Sequence, residues 1–581
     1  MEIFFISGLM FNRLHTVRKL LILLLFLIPA AESGAQDLKK ESILRDEVAR
    51  YGQARVSIVY TGSLSLDVLS ANVSISAVRG KSIEITLSPL TVDWFIMQNT
   101  GYDIIERPDV KSFVTAENTK QAMEWESYPS YTQYDSIMRS FAGSYPQLCL
   151  LDTIGTSING KLVLVLKISD NVSEDEPEPE TFYSSTMHGD ETGGFILMLR
   201  LADYLLKNYG NTGRVTSLVD NLEIWINPLA NPDGTYRSGN TIVSPTRTNA
   251  NGYDLNRNFP DPMYTSPPVK QKETLDMMKF IKEHHFVISA NFHSGVEVVN
   301  YPWDRWSRLH ADNAWFYNIS RKYADTVHLY APAGYMDFRD YGITNGYQWY
   351  SVYGGRQDYV TWERQGREVT IEIHDTYVTP AGQLNSLWQY NWRSLLGYLE
   401  NAMYGIHGIV KNKVTGEPLE ARIFIAGHDR DSSHVYSGRS DGNFVRLLAP
   451  GTWDLKFTAW GCLPAVVEDV VVTEGRKTEI TVELQPILNP VDTAATPIPL
   501  LYPNPSSQSL RVVLPGRQTG SISVQIYNSL GYKLADYETE TFEGSPLIID
   551  VSRFPGGIYT LVLTNTVTHF SDKSRFVVVR N

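Results

Sequence analysis

The sequence predicts an α/β domain in the middle of a 581-residue chain, with a small β-rich region before it and two small all-β sandwich domains after it. Three observations support this order. Continuous apolar runs of strand length in the middle of the chain are accompanied by a longer apolar run of helix length. After residue 404, short alternating strands follow one another with turn residues between them. Similar alternation marks part of the region before residue 115.

The first 35 residues have the pattern of a signal peptide. Arg18 and Lys19 precede an apolar run over 20–28, and small residues end at Ala35, where we expect cleavage. The run is too short to span a bilayer, and no later segment is long and apolar enough. We therefore expect an exported protein with no transmembrane segment in the mature chain.

Residues 36–120 are predicted to form a small β-rich region. Apolar and polar side chains alternate over 55–60 and again over 82–87, which is typical of half-buried strands. The region precedes the domain that carries the chemical motifs and contains none of its own. We interpret it as an accessory domain or a pro-region.

His188 and Glu191, three residues apart, and the distant His293 have the layout of a catalytic zinc site assembled from two loops. Two ligands at this spacing can converge on one ion, and the second histidine completes three protein ligands. A fourth coordination position then stays open for water. The same short motif would be a surface turn in many other chains, so the surroundings decide between the two interpretations.

Those surroundings place each candidate ligand at the end of a predicted strand. An apolar run over 181–187 precedes His188, and a helix is predicted over 195–206. A second apolar strand over 286–292 leads to His293, and a third over 368–371 leads to Glu372. Because open α/β sheets build their sites at strand ends, we expect these side chains to meet.

Further motifs lie between and beyond the ligands. They are Asn231-Pro-Asp-Gly234, Arg247, the segment 253–261, and Tyr350, which precedes Glu372 by a characteristic interval. With these residues, the segment 127–404 resembles the zinc carboxypeptidases, most closely their N/E-type, or regulatory, branch. The resemblance implies a mixed sheet with helices on both faces over a domain that we place at 121–404.

The resemblance also assigns roles. It makes His188, Glu191 and His293 the ligands of one Zn²⁺, and Glu372 the general base that takes a proton from water. It makes Arg247 the cation that stabilises negative charge on the scissile carbonyl in the transition state.

The same resemblance assigns three substrate-binding residues. Asn256 and Arg257 would hold the terminal carboxylate, and an arginine suits this task because its two parallel N–H donors match two carboxylate oxygens. Tyr350 matches a mobile tyrosine that closes over bound substrate.

Asp304 and Gln357 resemble the residues that line the primary side-chain pocket in this branch. A carboxylate in the pocket would select C-terminal Arg or Lys, because an apolar side chain would leave the acid unpaired. The alternative is an exposed turn aspartate. Arg356 and Arg305 are two nearby cations that could neutralise the pocket.

Asp190 departs from the family pattern, which usually has Asn or an aliphatic residue between the first two ligands. This additional acid could attract cationic substrates or cap the following helix. We favour the capping role.

Beyond the α/β domain the chain resembles two further families. Residues 405–484 resemble the transthyretin-like sandwich that follows the catalytic domain in the N/E branch, and a Pro-rich linker spans 485–500. Residues 501–581 resemble the C-terminal sorting domain of type IX secretion substrates. Cys149 and Cys462 fall in different predicted domains, so we expect buried free thiols.

These observations predict a zinc metallocarboxypeptidase, secreted or held on a bacterial outer surface, that releases C-terminal Arg or Lys. Its partners would be peptide or protein C-termini and, through the last domain, the export machinery. The net charge of −13 argues against nucleic acid. A zinc amidohydrolase acting on cell-wall peptides is the alternative enzyme, and a non-catalytic binding protein on the same fold is the third interpretation.

Overall fold

A computed structural model of the chain describes residues 38–62, 64–107, 114–174, 176–263, 269–487, 499–514, 520–541, 546–567 and 571–580. The chain divides into two compact units, one ending at Ile487 and one beginning at Leu488. The predicted signal peptide and most of the predicted linker lie outside the described residues. Within the described residues, no helix is long and apolar enough to cross a membrane.

The N-terminal domain, residues 38–107, combines a four-stranded antiparallel sheet with helices. Its elements are α1 (38–51), β1 (Ala54–Val59), α2 (Leu66–Asn72), β2 (Ser74–Arg79), β3 (Ser82–Leu87), α3 (Val92–Met97) and β4 (Tyr102–Ile105). The strand order is β2-β3-β1-β4, and every pairing is antiparallel. The sequence predicted strands here but not the helices. Because α2 and α3 each bury only two residues, their helical periodicity is too short to detect.

The α/β domain contains an eight-stranded mixed sheet. Its strands are β5 (Cys149–Thr156), β6 (Leu162–Ile168), β7 (Glu180–Ser185), β8 (Glu223–Asn227), β9 (Phe286–His293), β10 (Glu297–Tyr301), β11 (Ile343–Asn345) and β12 (Arg367–Ile373). They lie in the order β11-β10-β12-β9-β7-β8-β6-β5. The four central strands, β12, β9, β7 and β8, are parallel, whereas β10 and β6 are antiparallel to their central neighbours. The predicted mixed sheet is confirmed.

Helices cover both faces of this sheet. They are α4 (Thr119–Ala122), α5 (Tyr131–Ser144), α6 (Gly193–Asn208), α7 (Gly213–Val219), α8 (Pro232–Thr235), α9 (Lys272–Glu283), α10 (Asn313–His328), α11 (Phe338–Tyr341), α12 (Gly346–Trp349), α13 (Arg356–Glu363) and α14 (Leu384–Glu400). Adjacent residues of a strand point to opposite faces. In β7, Phe182 contacts Phe280 of α9, whereas Tyr183 contacts Tyr398 of α14, so each face carries its own helices.

A β-sandwich follows the α/β domain within the first unit. Its strands are β13 (Gly405–Asn412), β14 (Ala421–Phe424), β15 (Val435–Tyr436), β16 (Asn443–Arg446), β17 (Gly451–Ala459), β18 (Ala465–Val472) and β19 (Lys477–Leu484). They form one sheet in the order β16-β13-β19 and another in the order β15-β14-β17-β18. Ile406 and Leu455, one from each sheet, are fully buried in the shared core.

A buried charge cluster joins this sandwich to the α/β domain. One oxygen of Asp312 accepts hydrogen bonds from Arg367 (2.6 Å) and Arg446 (2.8 Å), and the other accepts from Arg446 (3.0 Å) and from His428 (2.8 Å). Arg446 also donates to Asp429 at 2.6 Å. Burial opposes the charge on Asp312, but Arg446 and Arg367 hold its pKa well below the usual value. We call this group the Asp312 cluster.

The second unit contains another β-sandwich. Its strands are β20 (Leu500–Tyr502), β21 (Ser509–Val513), β22 (Gly520–Asn528), β23 (Lys533–Thr541), β24 (Leu547–Asp550), β25 (Gly557–Asn565) and β26 (Ser571–Val578). The sheet orders are β20-β21-β24 and β23-β22-β25-β26. Leu510 and Leu561, from the two sheets, are fully buried between them.

Both cysteines are buried free thiols, as expected. Cys149 begins β5, and burial raises its pKa to about 12, so this thiol stays protonated at neutral pH.

Candidate metal centre and substrate cleft

The three predicted ligands meet at the ends of β7 and β9. His188 lies three residues after β7, Glu191 lies two residues before α6, and His293 is the last residue of β9. Nδ1 of His188 is 2.9 Å from one carboxylate oxygen of Glu191, and Nδ1 of His293 is 2.8 Å from the other. The two Nδ1 atoms are 3.0 Å apart. All three side chains are buried. Two histidines that share one acid and face each other through the same ring nitrogen suit a divalent cation between them.

The start of α6 fixes the position of Glu191. A methyl group built on Gly194 would lie 2.2 Å from the hydroxyl oxygen of Ser185, the last residue of β7. The helix therefore begins in direct contact with the strand that leads to His188, and only glycine permits this approach.

The far nitrogens of both histidines also have partners. Nε2 of His188 is 2.9 Å from an oxygen of Asp254, and Nε2 of His293 is 2.7 Å from the side-chain amide of Asn291. These contacts fix the ring orientations and direct both Nδ1 atoms to the same point. Asp254 was not predicted as a site residue from the sequence, although it lies in the segment 253–261. Its position two residues before Asn256, a predicted substrate-binding residue, was the signal that could have indicated it.

Glu372 lies beside His293 on the neighbouring parallel strand. The register of β12 and β9 pairs the two residues directly, and one oxygen of Glu372 has no hydrogen-bond partner among the described residues. Burial and the negative charge of Glu191 raise the pKa of Glu372 well above its usual value. A divalent cation at the ligand set would lower this pKa again. The geometry therefore presents an available proton acceptor next to the metal position.

Arg247 contacts the ligand set directly. Its guanidinium donates to Glu191 at 2.8 Å and to Asp254 at 2.9 Å, and the residue is buried. The cation is thus held rigidly beside the ligand set.

Asn256, Arg257 and Tyr350 lie close to this centre, and the last two contact the N-terminal domain. Arg257 donates to the main-chain oxygens of Asn256 (3.0 Å) and Ile75 (3.4 Å), and its Nε has no partner among the described residues. The hydroxyl of Tyr350 lies 3.5 Å from the same oxygen of Ile75. Neither donor group is engaged with a carboxylate, and both point toward one position.

The predicted pocket acid is buried rather than exposed on a turn. Asp304 is 4% exposed, and one of its oxygens accepts from Asn300 at 2.9 Å and from Gln357 at 3.0 Å. A methyl group on Gly346 would lie 1.8 Å from that oxygen, so a glycine keeps the space open. Burial raises the pKa of Asp304, and burial together with Asp304 raises that of its neighbour Asp358.

The two cations that could have neutralised the pocket are engaged elsewhere. Arg356 donates to Glu368 at 2.9 Å, and its guanidinium lies 4.9 Å from the centroid of the Phe182 ring. Arg305 lies 3.5 Å from Asp261 and 3.8 Å from the centroid of the Tyr353 ring.

Asp190 does not cap α6. The helix has Thr192 at its N-cap and no side-chain cap hydrogen bond. One oxygen of Asp190 accepts instead from Gln53 at 2.9 Å and from Arg55 at 2.5 Å. The capping interpretation was wrong, because the carboxylate points toward the N-terminal domain instead of along its own helix.

The N-terminal domain covers the cleft. Ser74 donates to Asp254 at 2.6 Å, the main-chain nitrogen of Arg247 donates to Gln53 at 2.7 Å, and Trp349 donates to the main chain of Val78 at 3.2 Å. Side chains of the α/β domain complete the domain's apolar core, namely Val296, Val298 and Trp349. In this arrangement β2 contacts both Asp254 and Arg257.

Comparison with known proteins agrees with this geometry. Residues 134–394 match the zinc carboxypeptidase family model, 405–485 match the carboxypeptidase regulatory-like domain, and 500–578 match the secretion system C-terminal sorting domain. Carboxypeptidase M of Mus musculus is 33% identical over 342 residues, which cover 56% of this chain and 77% of that protein. The chain belongs to the zinc carboxypeptidase family.

Two further matches extend the comparison. Carboxypeptidase D of Homo sapiens is 32% identical over 444 residues, which cover 73% of this chain but only 32% of that longer protein. Among solved structures, carboxypeptidase A from Helicoverpa armigera covers 60% of this chain and 97% of its own, with a TM-score of 0.47 and 17% identity.

The matches also confirm the domain families and the metal. Zinc is the metal of this family, and the His-Glu-His set offers it suitable donors. The sorting domain directs type IX secretion in bacteria, so the protein reaches the cell surface or the medium.

Proposed function

We propose that this protein is a secreted zinc carboxypeptidase that releases C-terminal Arg or Lys from peptides. One observation carries the proposal. The described residues bring together in one cleft a three-ligand metal set, a carboxylate with an unpartnered oxygen, two donor groups that face one main-chain oxygen and no carboxylate, and a buried acid. No single element of this group is specific, but the combination matches cleavage of the last peptide bond.

Each residue then has a task in the reaction. Zinc held by His188, Glu191 and His293 supplies a Lewis acid and lowers the pKa of water. Glu372 accepts a proton from the attacking water and passes it to the leaving amine. Arg247 offers N–H donors to the scissile carbonyl oxygen, where negative charge develops in the transition state.

The terminal carboxylate of the substrate would determine which peptide bond lies at the metal. Arg257 and Asn256 would bind the two terminal oxygens, and the Tyr350 hydroxyl would donate from the same side. An internal peptide segment has no carboxylate to offer these donors. The enzyme would therefore act only at chain ends.

Selectivity for basic residues would come from Asp304. Its second oxygen lies near Gly355 on the side of the pocket that also faces Asn256. A Lys or Arg side chain that enters there would pair its positive charge with the buried carboxylate, whereas a Leu side chain would leave the carboxylate unpaired. Gln357 and Asn300 hold the carboxylate in position.

The N-terminal domain would act as a pro-region. In the described arrangement its strand β2 supplies the main-chain oxygen that binds Arg257 and approaches Tyr350. Peptides can enter only after this domain has moved away or been removed. Export through the sorting domain would bring the chain outside the cell, where the N-terminal domain would be displaced or removed.

The test uses the full chain with residues 108–113 replaced by the recognition sequence of a site-specific protease. After zinc loading and cleavage, hydrolysis is measured on peptides that differ only in a last residue of Arg, Lys, Ala or Leu. We expect C-terminal release, fastest for Arg or Lys, and slower release before cleavage. Release from cell-wall peptides alone would favour the amidohydrolase, and no hydrolysis of any substrate would favour the binding protein.

A further inference from the structure

Asp190 presents a buried carboxylate to the N-terminal domain. The residue is 2% exposed, and one of its oxygens, Oδ1, has no hydrogen-bond partner among the described residues. A carboxylate in such a place is costly unless a cation pairs with it. In the described structure the cation at hydrogen-bonding distance is Arg55, which reaches it from β1 at 2.5 Å.

The α/β domain also supplies an aromatic surface for this cation. The guanidinium of Arg55 lies 3.5 Å from the centroid of the Tyr377 ring, while the Tyr377 hydroxyl donates to Glu84 at 2.9 Å. A carboxylate on one side and a ring face on the other are the two groups that bind a guanidinium well. Both belong to the α/β domain and would stay when the N-terminal domain leaves.

A cavity of about 140 Å³ adjoins this place. Its lining includes Arg55, Asp190, Pro245 and Val378. Residues of the N-terminal domain, such as Tyr51 and Arg107, form much of the remaining lining. The site therefore becomes more open when that domain leaves, while Pro245 and Val378 stay beside Asp190.

The position of this site along the cleft follows from the sheet of the N-terminal domain. Ile75 of β2 contacts Arg257, and Arg55 of β1 contacts Asp190, with β3 between the two strands. Neighbouring strands are about 4.8 Å apart, so the main chains at Ile75 and Arg55 are separated by about 10 Å. A peptide extends about 3.3 Å per residue. Asp190 would thus face a side chain two or three residues from the C-terminus.

We propose that Asp190 and Tyr377 form a second basic-side-chain subsite, for the residue two or three positions from the substrate's C-terminus, and that Arg55 fills it in the covered state. The inference rests on the proposed carboxypeptidase function and adds a substrate class, peptides that end in paired or closely spaced basic residues. It also explains how the N-terminal domain is held, because Arg55 occupies the place of a substrate side chain.

The first experiment measures selectivity on the zinc-loaded, cleaved full chain. Peptides ending in Arg carry a further Arg at the second, third or fourth position from the end, with Ala elsewhere. We expect a preference of about tenfold or more for Arg over Ala at the second or third position and none at the fourth. Asp190→Asn should reduce this ratio to near one. Equal rates for all peptides, or an unchanged ratio in the variant, would overturn the proposal.

Tyr377 supplies a second pair of variants in case Asp190→Asn disturbs the neighbouring ligands, which zinc content would reveal. Tyr377→Leu removes the ring face and should reduce the ratio, whereas Tyr377→Phe keeps the face and should retain it. Identical ratios in both variants would show that the ring does not bind the substrate cation.

Fragment binding tests the inference without catalysis. Affinity of the cleaved N-terminal fragment for the rest of the chain should fall about tenfold on Arg55→Gln, but not when Asp190→Asn is already present. Arg79→Gln is the matched control, because Arg79 contacts the main chain of Gly295 and not Asp190. Its effect should be the same with either residue at position 190. An equal effect of Arg55→Gln with Asp and with Asn at position 190 would overturn this inference, whereas loss of all peptide hydrolysis would contradict the proposed function alone.

Discussion

The metal-ligand set and the Asp312 cluster are two buried groups of histidine and carboxylate side chains in one chain, and each brings three potential metal ligands together. They differ in what surrounds the carboxylate. At Asp312, hydrogen bonds from Arg367, Arg446 and His428 occupy both oxygens. Glu191 also accepts a hydrogen bond from Arg247 on one oxygen, but each of its oxygens faces a histidine nitrogen, and those two nitrogens face each other.

The comparison shows that ligand type and distance alone do not identify a metal site. Two arginines occupy both oxygens of Asp312 and add two fixed positive charges, which repel a metal ion, whereas a single arginine contacts one oxygen of Glu191. Histidine can turn a neutral lone pair toward the ion only when a partner holds its other nitrogen, as Asp254 does for His188. The orientation of the side-chain donor atoms therefore distinguishes a metal-binding site from a charge cluster that only joins two domains.

The largest expected effect tests the metal side of this comparison. His293→Ala removes one of three ligands, so the chain should lose stoichiometric zinc and hydrolytic activity together. Metal analysis of the purified variant measures this. His428→Ala in the Asp312 cluster is the control and should keep one zinc per chain. Full zinc in His293→Ala would contradict the assignment of the ligands.

Asp312→Ala tests the structural side. The change leaves Arg367 buried without its acid and Arg446 with Asp429 alone, and breaking such a buried pair costs about 3–5 kcal/mol of unfolding free energy. Urea unfolding of the zinc-loaded chain measures the loss. Asp431→Ala removes a more exposed partner of Arg308 and should cost less than about 1 kcal/mol. Zinc lost from folded Asp312→Ala would show that the cluster also holds metal.

Glu372→Gln keeps the shape of the side chain but cannot accept a proton. Turnover should fall at least about a hundredfold while zinc content stays the same. Steady-state hydrolysis and metal analysis on one preparation measure both. Glu297→Gln changes a half-buried acid on the neighbouring strand β10 and should have little effect. Near-normal turnover in Glu372→Gln would place the proton acceptor elsewhere.

Asp304→Asn should remove a charge-assisted contact worth about 1.5–3 kcal/mol, or roughly ten- to a hundredfold in relative rate. The loss should fall on peptides ending in Arg or Lys, while those ending in Ala or Leu keep or improve their rates. An equal loss on all four peptides would mark Asp304 as structural.

The smallest expected effect concerns pH. Burial lowers the pKa of His310, next to the Asp312 cluster, to about 3. An unfolded histidine titrates near 6.5. Between these values the unfolded chain binds a proton that the folded chain does not, so stability falls as pH falls below about 6.5. We expect about 2 kcal/mol between pH 7 and pH 5. Urea unfolding at both values should show a smaller difference in His310→Asn.

The metal centre could be predicted from sequence because its ligands follow apolar strands that are buried on both faces. Such runs are visible as continuous apolar segments, and their ends meet wherever parallel strands pair. The predicted helix over 195–206 begins at Gly193 and ends at Asn208, so only its ends were misplaced.

The cover over the cleft could not be predicted in the same way. Asp190, Ser74 and Arg55 are far apart in sequence, and each alone resembles an ordinary polar residue. The contacts of these residues depend on how the two domains dock, and hydrophobic periodicity carries no information about docking. Asp190 shows this most clearly, because helix capping was the natural local interpretation and a contact with Arg55 is the outcome.

The direct pairing of Glu372 with His293 on adjacent parallel strands has a mechanical consequence. Main-chain hydrogen bonding between β12 and β9 sets the spacing of Glu372 and His293. Insertions in the surrounding loops leave that spacing intact. A one-residue slip of β12 would turn Glu372 to the opposite face of the sheet. The fold therefore tolerates variation in the surrounding loops but only one register between β12 and β9.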